Sequence, residues 1–126
     1  MLKRVLLSVA VVSAMVPAFA ADIVGKWQIA QEQNGYKYTL TLGIEKEVSH
    51  FGAVCEFGGH KAEIGVDVPS KIDGNNYHVL GSAEKKAGGQ INCEIAIKPM
   101  QLTYEVTDTQ LTLKSSEGVI VLNKVQ

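Results

Sequence analysis

Two cysteines, Cys55 and Cys93, are the residues of this chain whose chemistry is easiest to predict. An even cysteine count in a small exported protein is typical of a disulfide, whereas redox-active pairs usually lie close together in a Cys-x-x-Cys motif. Closing a loop of this length stabilises a fold by roughly 4 kcal/mol on the chain-entropy estimate. We therefore predict one structural disulfide, Cys55–Cys93.

No motif in the sequence predicts catalysis. There is no Gly-x-Ser-x-Gly elbow, no His-Glu-x-x-His and no glycine loop that leads into a helix. The acidic residues that could work in pairs fall at outward-facing or loop positions, where carboxylates are usually solvated; they are Glu45, Glu47, Glu56, Glu63 and Glu94. We predict a protein that is not an enzyme and that has no cofactor.

His50, Asp67 and His78 are the candidate metal ligands. A trial strand register places them on one rung of three adjacent strands, and two imidazoles with a carboxylate suit zinc or copper. The same register points that rung outward, where histidines are usually solvated. We therefore predict no metal site and keep these three residues as the candidate ligands.

The elements that must position these residues are β-strands. Apolar and polar residues alternate with a period of two from residue 23 onward, and no window has the spacing of an amphipathic helix. Turn residues separate the runs at regular intervals. The pattern predicts nine short strands, at 23–31, 36–44, 48–57, 61–68, 76–84, 91–98, 102–107, 110–114 and 119–124.

Short connections between these strands favour antiparallel neighbours in sequence order. Closure removes the exposed edges of such a sheet, so the sequence predicts an all-β, small antiparallel up-and-down barrel of about eight to nine strands. In the trial register Phe57 faces His60 across the first glycine turn, and Val68 faces Tyr77 across the next turn.

That register has a consequence for the disulfide. Cys55 and Cys93 point inward on strands separated by two others, a distance that a disulfide cannot span along the sheet. We therefore expect the bridge to cross the interior between opposing walls and to leave a pocket at one end of the barrel, near Tyr36, Tyr38 and Tyr104.

The N-terminus has the pattern of a signal peptide. Lys3 and Arg4 precede an apolar run over residues 5–16, and Ala18-Phe19-Ala20 fits a signal-peptidase site. The run is shorter than the roughly 20 residues that span a bilayer, and no cysteine follows the site to take a lipid. We predict a signal peptide over 1–20 and one domain over 21–126, located in a bacterial periplasm or secreted, and not membrane-spanning.

Charge excludes one class of partner. The predicted leader carries two of the twelve basic residues and none of the thirteen acidic ones, so the remaining chain has a net charge of about −3. A negative net charge disfavours contact with a phosphate backbone. We exclude nucleic acid as a partner and expect a monomer.

Gly25-Lys26-Trp27, at the start of the first strand, resembles the Gly-x-Trp signature that opens the lipocalin-like (calycin) barrels. The resemblance implies that Trp27 plugs the closed end of a barrel and that a basic residue of the last strand, here Lys124, packs over it. The chain is shorter than a full lipocalin and offers lysine where arginine is usual. The alternative is that Trp27 is an ordinary core aromatic residue.

Three functions remain open. The first is a lipocalin-like protein that binds a small hydrophobic molecule in an end pocket; that pocket would be lined by Trp27, Tyr36, Tyr38, Phe51 and Tyr104. The second is a periplasmic inhibitor of lysozyme or of a secreted protease, which would present the loops 45–50 or 69–76. The third is an envelope accessory protein that binds another protein.

Overall fold

Alternating apolar and polar residues carry the chain through ten strands. The computed structural model describes residues 22–125, and no helix occurs among them. The predicted signal peptide lies outside the described residues. The strands are β1 (Gly25–Gln33), β2 (Tyr36–Ile44), β3 (Val48–Phe57), β4 (His60–Asp73), β5 (Asn76–Val79), β6 (Ala83–Ala87), β7 (Cys93–Ile97), β8 (Met100–Val106), β9 (Gln110–Ser115) and β10 (Gly118–Lys124).

Eight of these strands close into an antiparallel barrel in the order β1-β10-β9-β8-β5-β4-β3-β2. The predicted all-β antiparallel barrel is confirmed. Strands β6 and β7 form a separate two-stranded hairpin, which the chain inserts between β5 and β8. Within residues 22–125 there is also no helix of the length and apolarity that a membrane span requires.

The predicted strand at 76–84 is wrong as a single element, because it divides into β5 and β6. Leu80 N–H donates to the carbonyl of Pro69 at 2.9 Å, and a Cβ added to Gly81 would lie 2.7 Å from Pro69 Cδ. Proline has no N–H to continue the ladder, and its ring occupies the space beside Gly81. The chain therefore leaves the barrel at this point.

The predicted loop at 69–76 is also wrong. β4 continues through Pro69 to Asp73, and a two-residue turn joins it to β5. Ile72 pairs with Tyr77, where the trial register placed Val68 opposite Tyr77. The first hairpin register, with Phe57 opposite His60, is confirmed.

The β6–β7 hairpin packs over the inner face of β3 and β4 at the end of the barrel that carries the β1–β2, β3–β4 and β9–β10 turns, here called the turn end. Cys55 of β3 and Cys93 of β7 are both buried and form the predicted disulfide, with their Cα atoms 5.7 Å apart. Tyr36 O–H donates to the carbonyl of Asn92 at 2.8 Å. The expectation that the bridge joins opposing barrel walls is wrong, because it joins a wall strand to this inserted hairpin.

The opposite end of the barrel, here called the closed end, is sealed by Trp27. Its indole is fully buried, and Nε1–H donates to the carbonyl of Ile23 at 2.9 Å. Ile23 is itself buried, so the segment before β1 covers this end. Lys124 Nζ lies 5.4 Å from the indole centroid, which confirms the contact expected between these two residues.

The barrel closes through a short seam. β1 and β10 pair only at Trp27–Lys124 and Gln28–Asn123. Among residues 22–125, the remainder of β1 (29–33) and of β10 (118–122) have no ladder partner across this seam. The two strands therefore meet at the closed end and lack pairing toward the turn end.

We predict that the double variant C55A/C93A loses about 4 kcal/mol in the free energy of unfolding, because the bridge closes a sequence separation of 38 residues. Urea denaturation of the oxidised protein and of the variant measures the loss. Hydrogen exchange should quicken most in β6 and β7. The control variant Y36F, which removes only one exposed hydrogen bond, should lose about 1 kcal/mol. Equal stability of C55A/C93A and wild type would contradict the tethering role of the disulfide.

Candidate ligand cavity

An apolar cavity of about 390 Å³, open to solvent, lies among the inward-facing side chains of the barrel. This volume is within the range of about 300–1,000 Å³ that is typical of small-molecule sites. The apolar side chains that line it are Leu40 and Leu42 of β2, Phe51 of β3, Val79 of β5, Ile97 of β7, Met100 and Leu102 of β8, Leu113 of β9, and Val119, Ile120 and Leu122 of β10.

Strand alternation places these side chains inside. Residues two apart on a strand share a face, so Leu40 and Leu42 point inward together, as do Ile120 and Leu122. Val119 has the opposite parity and is 63% exposed, yet it also contacts the cavity. Because the cavity contacts both Val119 and the inward-facing Ile120, it extends past the edge of β10. It therefore opens beside the start of β10, which has no ladder partner in β1.

The inserted hairpin confines the cavity to one side of the turn end. Buried Ile91, Cys93 and Ile95 pack with the core on the side of β3 and β4. Ile97 and Met100, where the hairpin returns to the barrel, line the cavity, and Glu117 lines it from the β9–β10 turn. The mouth therefore lies between the hairpin exit and this turn.

A buried hydroxyl cluster lies beside the floor of the cavity. Ser49 Oγ is 2.5 Å from Tyr77 Oη and 2.7 Å from Ser70 Oγ. Burial raises the pKa of Tyr77, and the hydrogen bonds with Ser49 and Ser70 oppose that shift. Tyr77 therefore contributes its ring to the cavity lining while Ser49 holds its hydroxyl.

The predicted pocket residues are not brought together. Phe51 lines the cavity, but Trp27 lies in the core of the closed end. Tyr38 pairs with Cys55 near the hairpin, and burial, with a smaller contribution from neighbouring Tyr36, raises its pKa.

Tyr36 and Tyr104, predicted to share one end, lie at opposite ends. Tyr36 contacts Asn92 of the hairpin loop, whereas Tyr104 O–H donates to the carbonyl of Gly74 at 2.8 Å, in the β4–β5 turn. Burial raises the pKa of Tyr104, with a smaller contribution from Asp22. Each hydroxyl ties a turn or loop to the barrel.

Sequence reasoning missed most of the aliphatic lining because it looked for aromatic side chains. Leu102 and Leu113 alternate with polar neighbours, and this signal placed them inward without placing them around a void. Tyr77 was missed because the trial register placed it opposite Val68, four residues away from its partner Ile72.

His50 lies on the outer surface, between two carboxylates. Its Nδ1 is 2.6 Å from Asp67 Oδ1, and its Nε2 is 2.5 Å from Glu45 Oε2. These hydrogen bonds raise the pKa of His50, and the bond to Asp67 has the larger effect. Partners at both ring nitrogens favour the doubly protonated imidazolium.

The candidate metal ligands do not converge. His50 and Asp67 share a rung as predicted, but His78 pairs with Lys71 and Gln101 instead. Within residues 22–125, no group of three or more His, Cys, Asp or Glu side chains could hold a metal ion.

No protein-family model matches this chain, and neither the search of curated proteins nor that of solved structures found a match.

We predict that His50 titrates above its ordinary pKa of about 6.5. The hydrogen bonds of protonated His50 then contribute fully to stability below about pH 6.5, the pKa of His50 in the unfolded chain. This contribution is lost as the pH rises through the pKa of His50 in the folded protein. Because the His50 side chain is 44% exposed, we expect this contribution to the free energy of unfolding to be less than about 1 kcal/mol. NMR titration of the imidazole signals measures the pKa.

The matched variants are D67N, which should lower the His50 pKa toward its ordinary value, and H60Q, which should leave the His50 pKa unchanged because His60 lies beside the β3–β4 turn, at the far end of the ladder from the His50–Asp67 pair. A wild-type His50 that titrates at or below about pH 6.5 would show that the carboxylates do not hold its proton.

Proposed function

We propose that this protein is an exported, non-enzymatic, lipocalin-like binding protein that holds a small apolar molecule inside its barrel. The observation that carries this proposal is the apolar cavity of about 390 Å³, open at one end of a barrel whose other end is sealed. Barrels of eight strands are wide enough to hold one small ligand. The protein would act by sequestration or transport.

Three further features support the proposal. Gly25-Lys26-Trp27 resembles the opening signature of the lipocalin-like barrels, and Lys124 covers the indole as that resemblance implies. The disulfide suits an oxidising compartment, and the N-terminal pattern is that of an export signal. The inhibitor alternative is left with two short turns in place of its recognition loops, because residues 48–50 belong to β3 and residues 69–73 belong to β4.

The test is binding of N-phenyl-1-naphthylamine, a neutral apolar dye that fluoresces strongly in apolar surroundings. We expect saturable binding by the oxidised wild-type protein. The variant L102W places an indole in the cavity and should weaken binding at least about tenfold, since the dye then loses the apolar surface that it would bury. The variant Q101W adds the same indole to the exposed neighbouring position and should bind as wild type does.

A second variant, M100W, keeps the test informative if L102W does not fold. Met100 is 38% exposed at the mouth, so M100W narrows the entrance without adding volume to the buried core. Near-UV circular dichroism confirms the fold of each variant. Equal dye affinity of wild type, L102W and M100W, all folded, would rule out the cavity as a binding site.

A further inference from the structure

The lining of the cavity is asymmetric from floor to mouth. Its walls are aliphatic and aromatic, whereas two polar lining residues, Ser115 at the end of β9 and Glu117 in the β9–β10 turn, lie together in the segment where the chain passes from β9 to β10. A ligand with an apolar body and a polar head therefore matches the cavity only with its head at this segment.

The floor reinforces that orientation. Tyr77, the polar residue that lines the deep part of the cavity, shares its hydroxyl with Ser49, and Ser49 is bonded in turn to Ser70. A polar head inserted to this depth would lose its water and would meet a hydroxyl that already has a partner. The apolar end of the ligand therefore goes in first.

The charge at the mouth is negative. Glu117 is the charged residue among those that line the cavity. Its backbone N–H donates to Ser115 Oγ at 3.1 Å, so this turn does not offer that N–H to an anion. The lysines on either side of Glu117 in sequence face elsewhere: Lys114 pairs with Glu105, and Lys124 lies against Trp27 at the closed end. Lys98, which follows the lining residue Ile97, lines a separate depression with Ser82 and Glu84.

We propose that the cavity takes amphiphiles with an uncharged or cationic head group and discriminates against carboxylates such as fatty acids. This inference rests on the proposed function and adds the chemical class of the ligand. Glu117 sets the preference by repelling an anionic head and attracting a cationic one, while the apolar walls bind the chain of each equally.

The experiment compares three probes with the same ten-carbon chain: decan-1-ol, decylammonium and decanoate. Each displaces N-phenyl-1-naphthylamine from the oxidised wild-type protein at pH 7.5 and below micelle-forming concentrations. We expect decylammonium to bind about threefold to tenfold more tightly than decanoate at low salt, and the gap to shrink at high salt. Decan-1-ol should bind more tightly than decanoate.

Three variants assign the effect to Glu117. E117Q should bring decylammonium and decanoate to similar affinity, and E117K should reverse their order. E94K makes the same charge change on the exposed face of β7, away from the cavity lining, and should preserve the wild-type order. Decan-1-ol affinity should be nearly the same in wild type, E117Q and E117K, which shows that the cavity itself is intact.

The outcomes separate the two proposals. Binding of all three probes with decanoate at least as tight as decylammonium, or an order that E117K leaves unchanged, overturns the head-group preference while the cavity stands as a binding site. Failure of all three probes to displace a bound dye overturns the amphiphile class alone. Failure of the dye itself to bind, together with no direct binding of the probes by calorimetry, overturns both.

Discussion

The contact between Pro69 and Gly81 determines how the rest of the chain is arranged. Pro69 has no N–H with which to continue the ladder between β4 and the residues that follow Val79. With the ring in place, the chain turns away after Val79 and returns only at Met100. The intervening hairpin must then bury its own apolar face, and it does so against the inner surface of β3 and β4. A glycine is required where the chain passes the ring, because any larger residue would place its Cβ against Pro69.

The disulfide follows from that arrangement. A two-stranded hairpin is at best marginally stable alone in water. Cys93 fixes the first residue of β7 to Cys55, and the Tyr36 hydroxyl holds the adjacent Asn92 carbonyl. Two anchors at one end of the hairpin and the chain itself at the other end keep it in place. The apolar residues Ile91 and Ile95 are buried as a result.

The sequence was sufficient to predict most of the strands, the barrel and the disulfide, because alternation and cysteine count report local and pairwise constraints. The sequence was insufficient to predict that the β6–β7 hairpin is inserted between β5 and β8. Pro69 and Ser70 have the composition of a loop, yet they continue β4, because the missing N–H of Pro69 faces the place where β5 has ended. The trial register of β4 with β5 was therefore displaced by an even number of residues. An even displacement keeps each side chain on its own face, so Tyr77 still pointed inward while its partners changed.

The candidate site was harder to predict for a related reason. Aromatic residues attract attention as ligand contacts, but Trp27, Tyr36 and Tyr104 each use a polar atom to hold the fold together. The cavity is instead a void between strands, lined mostly by leucine, isoleucine and valine. Its existence depends on which half of the interior the hairpin fills, and no single residue type records that.

The two ends of the barrel make the cavity physically consistent. An unfilled apolar cavity costs stability, because the atoms of its lining lose contacts that a packed core would supply. Here the closed end is densely filled by Trp27, Ile23 and the hydroxyl cluster, while the disulfide holds the filled side of the turn end. Strong packing and a covalent tether around the void allow the remaining side to stay open. A ligand that fills it would restore the missing contacts, so binding and folding stability should be coupled through the same aliphatic walls.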